Sequence, residues 1–72
     1  MKSVLVKKIT TGGNMELSAK IQGTVLKLNQ LLVDCEVKIE HHYPEMWIIV
    51  KSQKDISRES LDLVSTHLKD VL

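Results

Sequence analysis

Four side chains in the sequence could ligate a metal or take part in nucleophilic catalysis: Cys35, His41, His42 and His67. In a strand, residues six apart share a face but lie about 20 Å apart, so His41 cannot activate Cys35 within one strand. Neighbouring residues such as His41 and His42 point to opposite faces of a strand. We therefore expect no catalytic centre, no metal and no other cofactor, and we interpret Cys35 as a small, buried cysteine.

A glycine pair, Gly12 and Gly13, is the strongest break in the sequence and stands just before a predicted helix. The free amides at a helix N-terminus attract anions, so this pair, together with Lys7 and Lys8, is a candidate site for phosphate or nucleic acid. The residue spacing of a phosphate-binding P-loop is absent, and a glycine pair before a helix is also ordinary turn chemistry. Both interpretations stay open at this point.

Charge is distributed unevenly along the chain. Residues 1–33 carry five lysines and one glutamate, a balance of +4, whereas residues 34–72 carry five basic and eight acidic side chains, a balance of −3. Lys20 and Lys27 share one flank of the predicted first helix and, with Lys7 and Lys8, could form a basic face for nucleic acid. A single arginine and two aromatic residues argue against that function. Opposite charges that meet across a self-association interface would explain the asymmetry equally well.

The elements that would position these residues include three strands. Residues 3–9 begin with β-branched and aliphatic side chains and predict a strand. Residues 35–43 alternate between apolar and polar types, which predicts an antiparallel strand with one solvent-exposed face. Residues 46–51 are apolar enough for a buried strand. Pro44 and Glu45 supply a turn between these two strands, so the sequence predicts a hairpin here.

Two helices complete the prediction. Five apolar residues recur at the spacing of one helix face: Leu17, Ile21, Val25, Leu28 and Leu32. Residues 15–22 also alternate as a strand would, but that alternation fails after Gly23, and we favour the helix.

A second helix is predicted from about Arg58, with Ser57 as its N-cap and Ile56 packed on Leu61. Its apolar stripe consists of Leu61, Val64, Leu68, Val71 and Leu72. Leu63 lies about 120° from the centre of that stripe, so we expect it to be exposed.

The chain has 72 residues, of which 43% are hydrophobic and 26% charged, as in a globular protein with one domain over residues 1–72. The order βαββα predicts an α+β two-layer sandwich, in which both helices cover one face of a mostly antiparallel three-stranded sheet. Apolar runs are too short to span a membrane, and one cysteine allows no internal disulfide, so we expect a cytoplasmic protein. A core this small favours self-association through an edge strand or the open face of the sheet.

These observations favour a non-enzymatic protein that acts through protein–protein interaction, as a small regulator or adaptor and as a homodimer. Its predicted interface residues are Trp47, Ile49, Leu63 and Tyr43. The alternative is a nucleic-acid-binding regulator that uses the basic face. The sequence does not separate a host regulator from a phage-encoded inhibitor of a host protein. Residues 54–57 resemble the segment after the last strand of the small carbon-storage RNA regulators, but that family's arginines are missing and we assign no family.

Overall fold

The computed structural model describes residues 1–71 and has the predicted element order. The elements are β1 (Lys2–Thr10), α1 (Met15–Leu31), β2 (Glu36–His42), β3 (Glu45–Ser52) and α2 (Arg58–Val71). Both outer strands pair antiparallel with β3, which gives the sheet order β1-β3-β2. Leu72, assigned to the stripe of the second helix, lies outside the described residues. None of the helices within residues 1–71 is long and apolar enough to cross a membrane.

Both helices pack on the same face of the sheet, as predicted. Along β3, Met46, Ile48, Val50 and Ser52 are buried in alternation with residues that point the other way. The hydrophobic core consists of Met46, Ile48 and Val50 of β3 and of apolar residues of the neighbouring elements: Ile9, Val37, Ile21, Val25, Leu28, Val64 and Leu68. Because α1 and α2 bury their apolar stripes on this side, no element within residues 1–71 covers the opposite face of the sheet.

Residues 15–22 belong to the helix α1, so the helix prediction for them is confirmed and the strand alternative is wrong. Asn14 caps α1, because its side-chain oxygen accepts a hydrogen bond of 3.0 Å from the Leu17 amide. The helix therefore starts at Met15, two residues before the first residue of the predicted apolar stripe. Leu17 is half-buried in the first turn and packs against the core.

The second helix begins where the sequence predicts. The Ser57 hydroxyl oxygen accepts a hydrogen bond of 3.2 Å from the Ser60 amide, which confirms Ser57 as the N-cap. Leu63 was expected to be exposed, and that prediction is wrong: it is half-buried and packs against the core. The reason is that α2 lies beside α1, and Leu63 lines a shallow cavity with Leu31 and Leu32 from the end of that helix.

The two edge strands are protected in different ways. β1 contains a bulge, since the pairing with β3 shifts by one residue between Leu5 and Lys7. β2 is held by Asn29 of α1, whose side-chain amide donates to the Val37 carbonyl (3.0 Å) while its oxygen accepts from the Val37 amide (2.7 Å). Asn29 thus takes the place that the backbone of a further strand would occupy beside Val37.

Candidate interaction surface

The uncovered side of the sheet is the main candidate surface, and we call it the open face. Strand register places its residues in four rows across the strands β1, β3 and β2: Thr10–Glu45–His42, Lys8–Trp47–Glu40, Leu5–Ile49–Lys38 and Ser3–Lys51–Glu36. Directly opposed residues of antiparallel strands point to the same side, so all twelve side chains belong to this face. Trp47, Ile49 and Glu36 therefore all lie opposite the helices.

Trp47 lies near the middle of the open face and is partly exposed. The His42 ring stacks on it, with ring centroids 3.9 Å apart and planes inclined by 29°, and the Lys8 ammonium nitrogen lies 4.4 Å from its centroid. The indole nitrogen donates to a Glu45 carboxylate oxygen at 3.3 Å. These neighbours fix the ring in place while part of it stays accessible, as in an aromatic anchor of an interface.

Ile49, the next interface candidate, also belongs to the open face but is only 8% exposed. Its register neighbours are Leu5 on β1, which is 45% exposed, and Lys38 on β2. Leu5 therefore offers a partner more apolar area than Ile49 does. The sequence analysis placed Leu5 in a strand and did not select it, because the choice depends on which strand lies at the edge of the sheet.

Tyr43 lies apart from the open face, in the turn between β2 and β3, and is 83% exposed. It lines a groove of about 470 Å³ between this turn and the first half of α1, together with Met15, Ala19 and Met46. Met15 is 85% exposed. Two large apolar side chains thus line one groove. The sequence analysis did not select Met15, because it lies outside the apolar stripe of the first helix.

The glycine loop is tied to the same turn. Gly12 and Gly13 have positive φ angles of 52° and 85°, which side-chain-bearing residues adopt at a cost. The amides of Thr11 and Gly12 donate to the Pro44 carbonyl oxygen at 2.9 and 3.0 Å. These two amides are occupied by a structural contact, so this loop offers fewer donors to an anion than the sequence alone suggests.

The structure does not bring the candidate lysines together. Lys7 is paired with Ile48 and lies on the helix side of β1, beside Lys69, whereas Lys8 belongs to the open face. Lys20 forms an ion pair of 3.7 Å with Glu16 on α1. Lys20 and Lys27 lie on the flank of α1 that faces away from β2, because Asn29 on the other flank bonds to β2.

The residues that could carry chemistry are also separated. Cys35 lies just before β2, at the end of that strand remote from His41, and burial together with the nearby Asp34 carboxylate raises the pKa of its thiol. His41 is paired with Met46 on the helix side, while His42 is on the open face. Within residues 1–71, no three His, Cys, Asp or Glu side chains come together in a way that could hold a metal ion.

In comparisons with protein-family models, curated proteins and solved structures, the chain matches none of them. The features of this chain that bear on its function are the two surfaces described above, the open face and the groove between Met15 and Tyr43.

Proposed function

We propose that this chain is a non-enzymatic protein-interaction module, a small cytoplasmic regulator or adaptor that works as a homodimer and binds another protein. The observation that carries the proposal is the open face, a side of the sheet that none of the described elements covers, with Trp47 partly exposed near its middle. A sheet in a small domain gains stability when both of its faces are covered. A second protein surface is the simplest cover.

The groove between Met15 and Tyr43 supports binding of a partner other than a second copy. Both side chains are more than four-fifths exposed, and the apolar residues Ala19 and Met46 line the same groove. Tyrosine and methionine are enriched at protein interfaces, where their side chains bury a large area. We assign the partner to this groove and self-association to the open face.

Two further observations favour protein over nucleic acid as the partner. Lys7, Lys8 and Lys20 point in different directions, so their charges do not add up along one path for a phosphate backbone. The open face itself is nearly balanced in charge, with Lys8, Lys38 and Lys51 beside three glutamates. A basic nucleic-acid footprint requires a cluster of one sign.

Affinity capture from a lysate of the organism that encodes the chain tests partner binding. The captures use the tagged wild type, a Met15→Ser/Tyr43→Ser variant, and a Val33→Ser control, with and without nuclease. Val33 is a matched control because it is 97% exposed but follows the other end of α1. We expect one protein that survives nuclease, is retained by the control and is lost from the double variant.

Other outcomes contradict parts of this proposal. Retention of the protein by the Met15→Ser/Tyr43→Ser variant would exclude the groove as its binding site. Recovery of nucleic acid, with all co-captured proteins lost after nuclease treatment, would overturn the interaction module and favour the basic residues instead.

A further inference from the structure

The charged residues of the open face lie mainly on the strands β3 and β2, where acidic positions alternate with basic or histidine positions along the strand. On the central strand β3, Glu45 stands at one end and Lys51 at the other, with Trp47 and Ile49 between them. On β2 the order is Glu36, Lys38, Glu40 and His42. If the face is reversed end to end, every acidic position of β2 and β3 coincides with a basic position or a histidine. In this orientation the charged residues of β2 and β3 are complementary to those of a second copy.

We propose that the open face binds the same face of a second copy, which gives the homodimer of the proposed function a defined interface. The two-fold axis lies between the sheets, perpendicular to the strands, and passes between the Trp47 and Ile49 rows. The contacts across it are Glu40 with Lys38, Glu45 with Lys51, His42 with Glu36, Trp47 with Ile49, and Lys8 with Leu5 of the other copy. Twisted sheets pack about 10 Å apart and about 30° out of alignment, and the flexible lysine and glutamate side chains can span that offset.

Other symmetric arrangements are less favourable. An axis parallel to the strands would bring Glu45 onto Glu45 and Lys51 onto Lys51, which places like charges in contact. Pairing of β2 with a second β2 along the sheet edge would require Asn29 to release both main-chain groups of Val37. Face-to-face packing about an axis perpendicular to the strands places opposite charges in contact and leaves both Asn29 hydrogen bonds intact, so we favour this arrangement.

The size of the face predicts a weak dimer. Three strands spaced about 4.8 Å apart and four rows about 7 Å apart give a footprint of roughly 14 by 27 Å, on the order of 400 Å² for each copy. Standard interfaces bury about 800 Å² per partner, and smaller ones belong to transient complexes. We therefore expect a Kd in the micromolar range, and we expect salt to raise it because the interface contains exposed ion pairs.

The first measurement is the concentration dependence of association in the wild type. Trp47 is the only tryptophan of the chain, and the proposed contact covers it with Ile49 of the second copy. We expect its fluorescence emission to shift to shorter wavelength over the same concentration range in which sedimentation shows a monomer converting to a dimer. A dimer that leaves the Trp47 emission unchanged would contradict this interface.

Exchange of charges on the central strand is the decisive experiment. Lys51→Glu and Glu45→Lys each place like charges together at both Glu45–Lys51 contacts, and we expect each to raise Kd at least about tenfold. The double variant Glu45→Lys/Lys51→Glu restores opposite charges and should return Kd to within about threefold of the wild type. An equimolar mixture of the two single variants should form a heterodimer, since each contact then joins opposite charges.

Because the exchanged charges lie on β3, the experiment distinguishes the face-to-face dimer from dimers formed through a sheet edge. Residues of the central strand do not contact each other in a dimer formed through a sheet edge, so the Kd of such a dimer would not change when these charges are exchanged. Lys27→Glu on α1 is the control with the same change of charge, and it should dimerise as the wild type does. Far-ultraviolet circular dichroism verifies folding, and the Lys38→Glu and Glu40→Lys pair gives a second exchange if a β3 variant does not fold.

The outcomes also separate this inference from the proposed function. A wild-type dimer whose Kd is unchanged by both exchanges overturns the open-face interface and leaves the homodimer in place. A wild type that stays monomeric up to about 1 mM overturns both the interface and the homodimer, because a transient interface of this size would be populated there. Capture of a partner through Met15 and Tyr43 is decided separately by its own experiment.

Discussion

At the scale of single residues, Asn29 shows how one polar side chain stabilises two elements. Its two hydrogen bonds to Val37 attach α1 to the edge of β2. We expect Asn29→Ala to reduce the free energy of unfolding by about 1 kcal/mol, the loss of two partly buried hydrogen bonds being offset in part by the better helix propensity of alanine. Urea unfolding measures this change, and amide hydrogen exchange at Val37 should accelerate.

Gln30→Ala is the control for that substitution, because Gln30 is the neighbouring helix residue and is exposed. We expect its effect on the unfolding free energy to stay within about 0.5 kcal/mol. An unchanged exchange rate at Val37 in Asn29→Ala would show that the two hydrogen bonds do not protect the edge. No spacing in the sequence marks Asn29, since its role depends on how α1 lies across β2.

At the scale of elements, we expect substitution by alanine to change the stability of the protein in opposite directions at two glycines. Gly23 is exposed in the middle of α1, and a Cβ there would meet no atom within 4 Å, so Gly23→Ala should stabilise the protein by about 0.5–1 kcal/mol. Gly13 has a φ of 85°, so Gly13→Ala should destabilise it by about 1 kcal/mol. Chemical denaturation of both variants measures the two effects, and equal signs would refute the assignment of these backbone conformations.

The elements also show what the sequence could predict. Alternation along β2 and the apolar stripe of α1 predicted both elements, because these patterns follow from which side of each element faces the core. The strand order β1-β3-β2 and the bulge between Leu5 and Lys7 were not predicted, since both depend on contacts distant in sequence. The prediction that Leu63 is exposed was wrong for the same reason. Leu63 lies outside the apolar stripe of α2, but the neighbouring helix α1 partly buries it.

At the scale of the whole molecule, the same limit applies to the candidate surfaces. The sequence selected Trp47 and Tyr43 by residue type, but only the fold shows that they belong to separate surfaces. It also shows that Lys7 and Lys8, adjacent in sequence, lie on opposite sides of the sheet. Function in so small a protein depends on which side chains share a face, and that is set by strand order and by the single face that the helices cover.

Stability should therefore depend on protein concentration. A 72-residue chain buries a small share of its surface, and covering the open face with a second copy adds to the stability of the folded state by mass action. Above the Kd of the dimer, we expect the thermal midpoint to rise by roughly 3 °C for each tenfold increase in concentration. Scanning calorimetry measures the dependence of the thermal midpoint on concentration. We expect Lys51→Glu to reduce this dependence and Lys27→Glu to leave it unchanged. A midpoint that does not vary with wild-type concentration, over a range in which sedimentation detects the dimer, would mean that the dimer contact contributes nothing to folding.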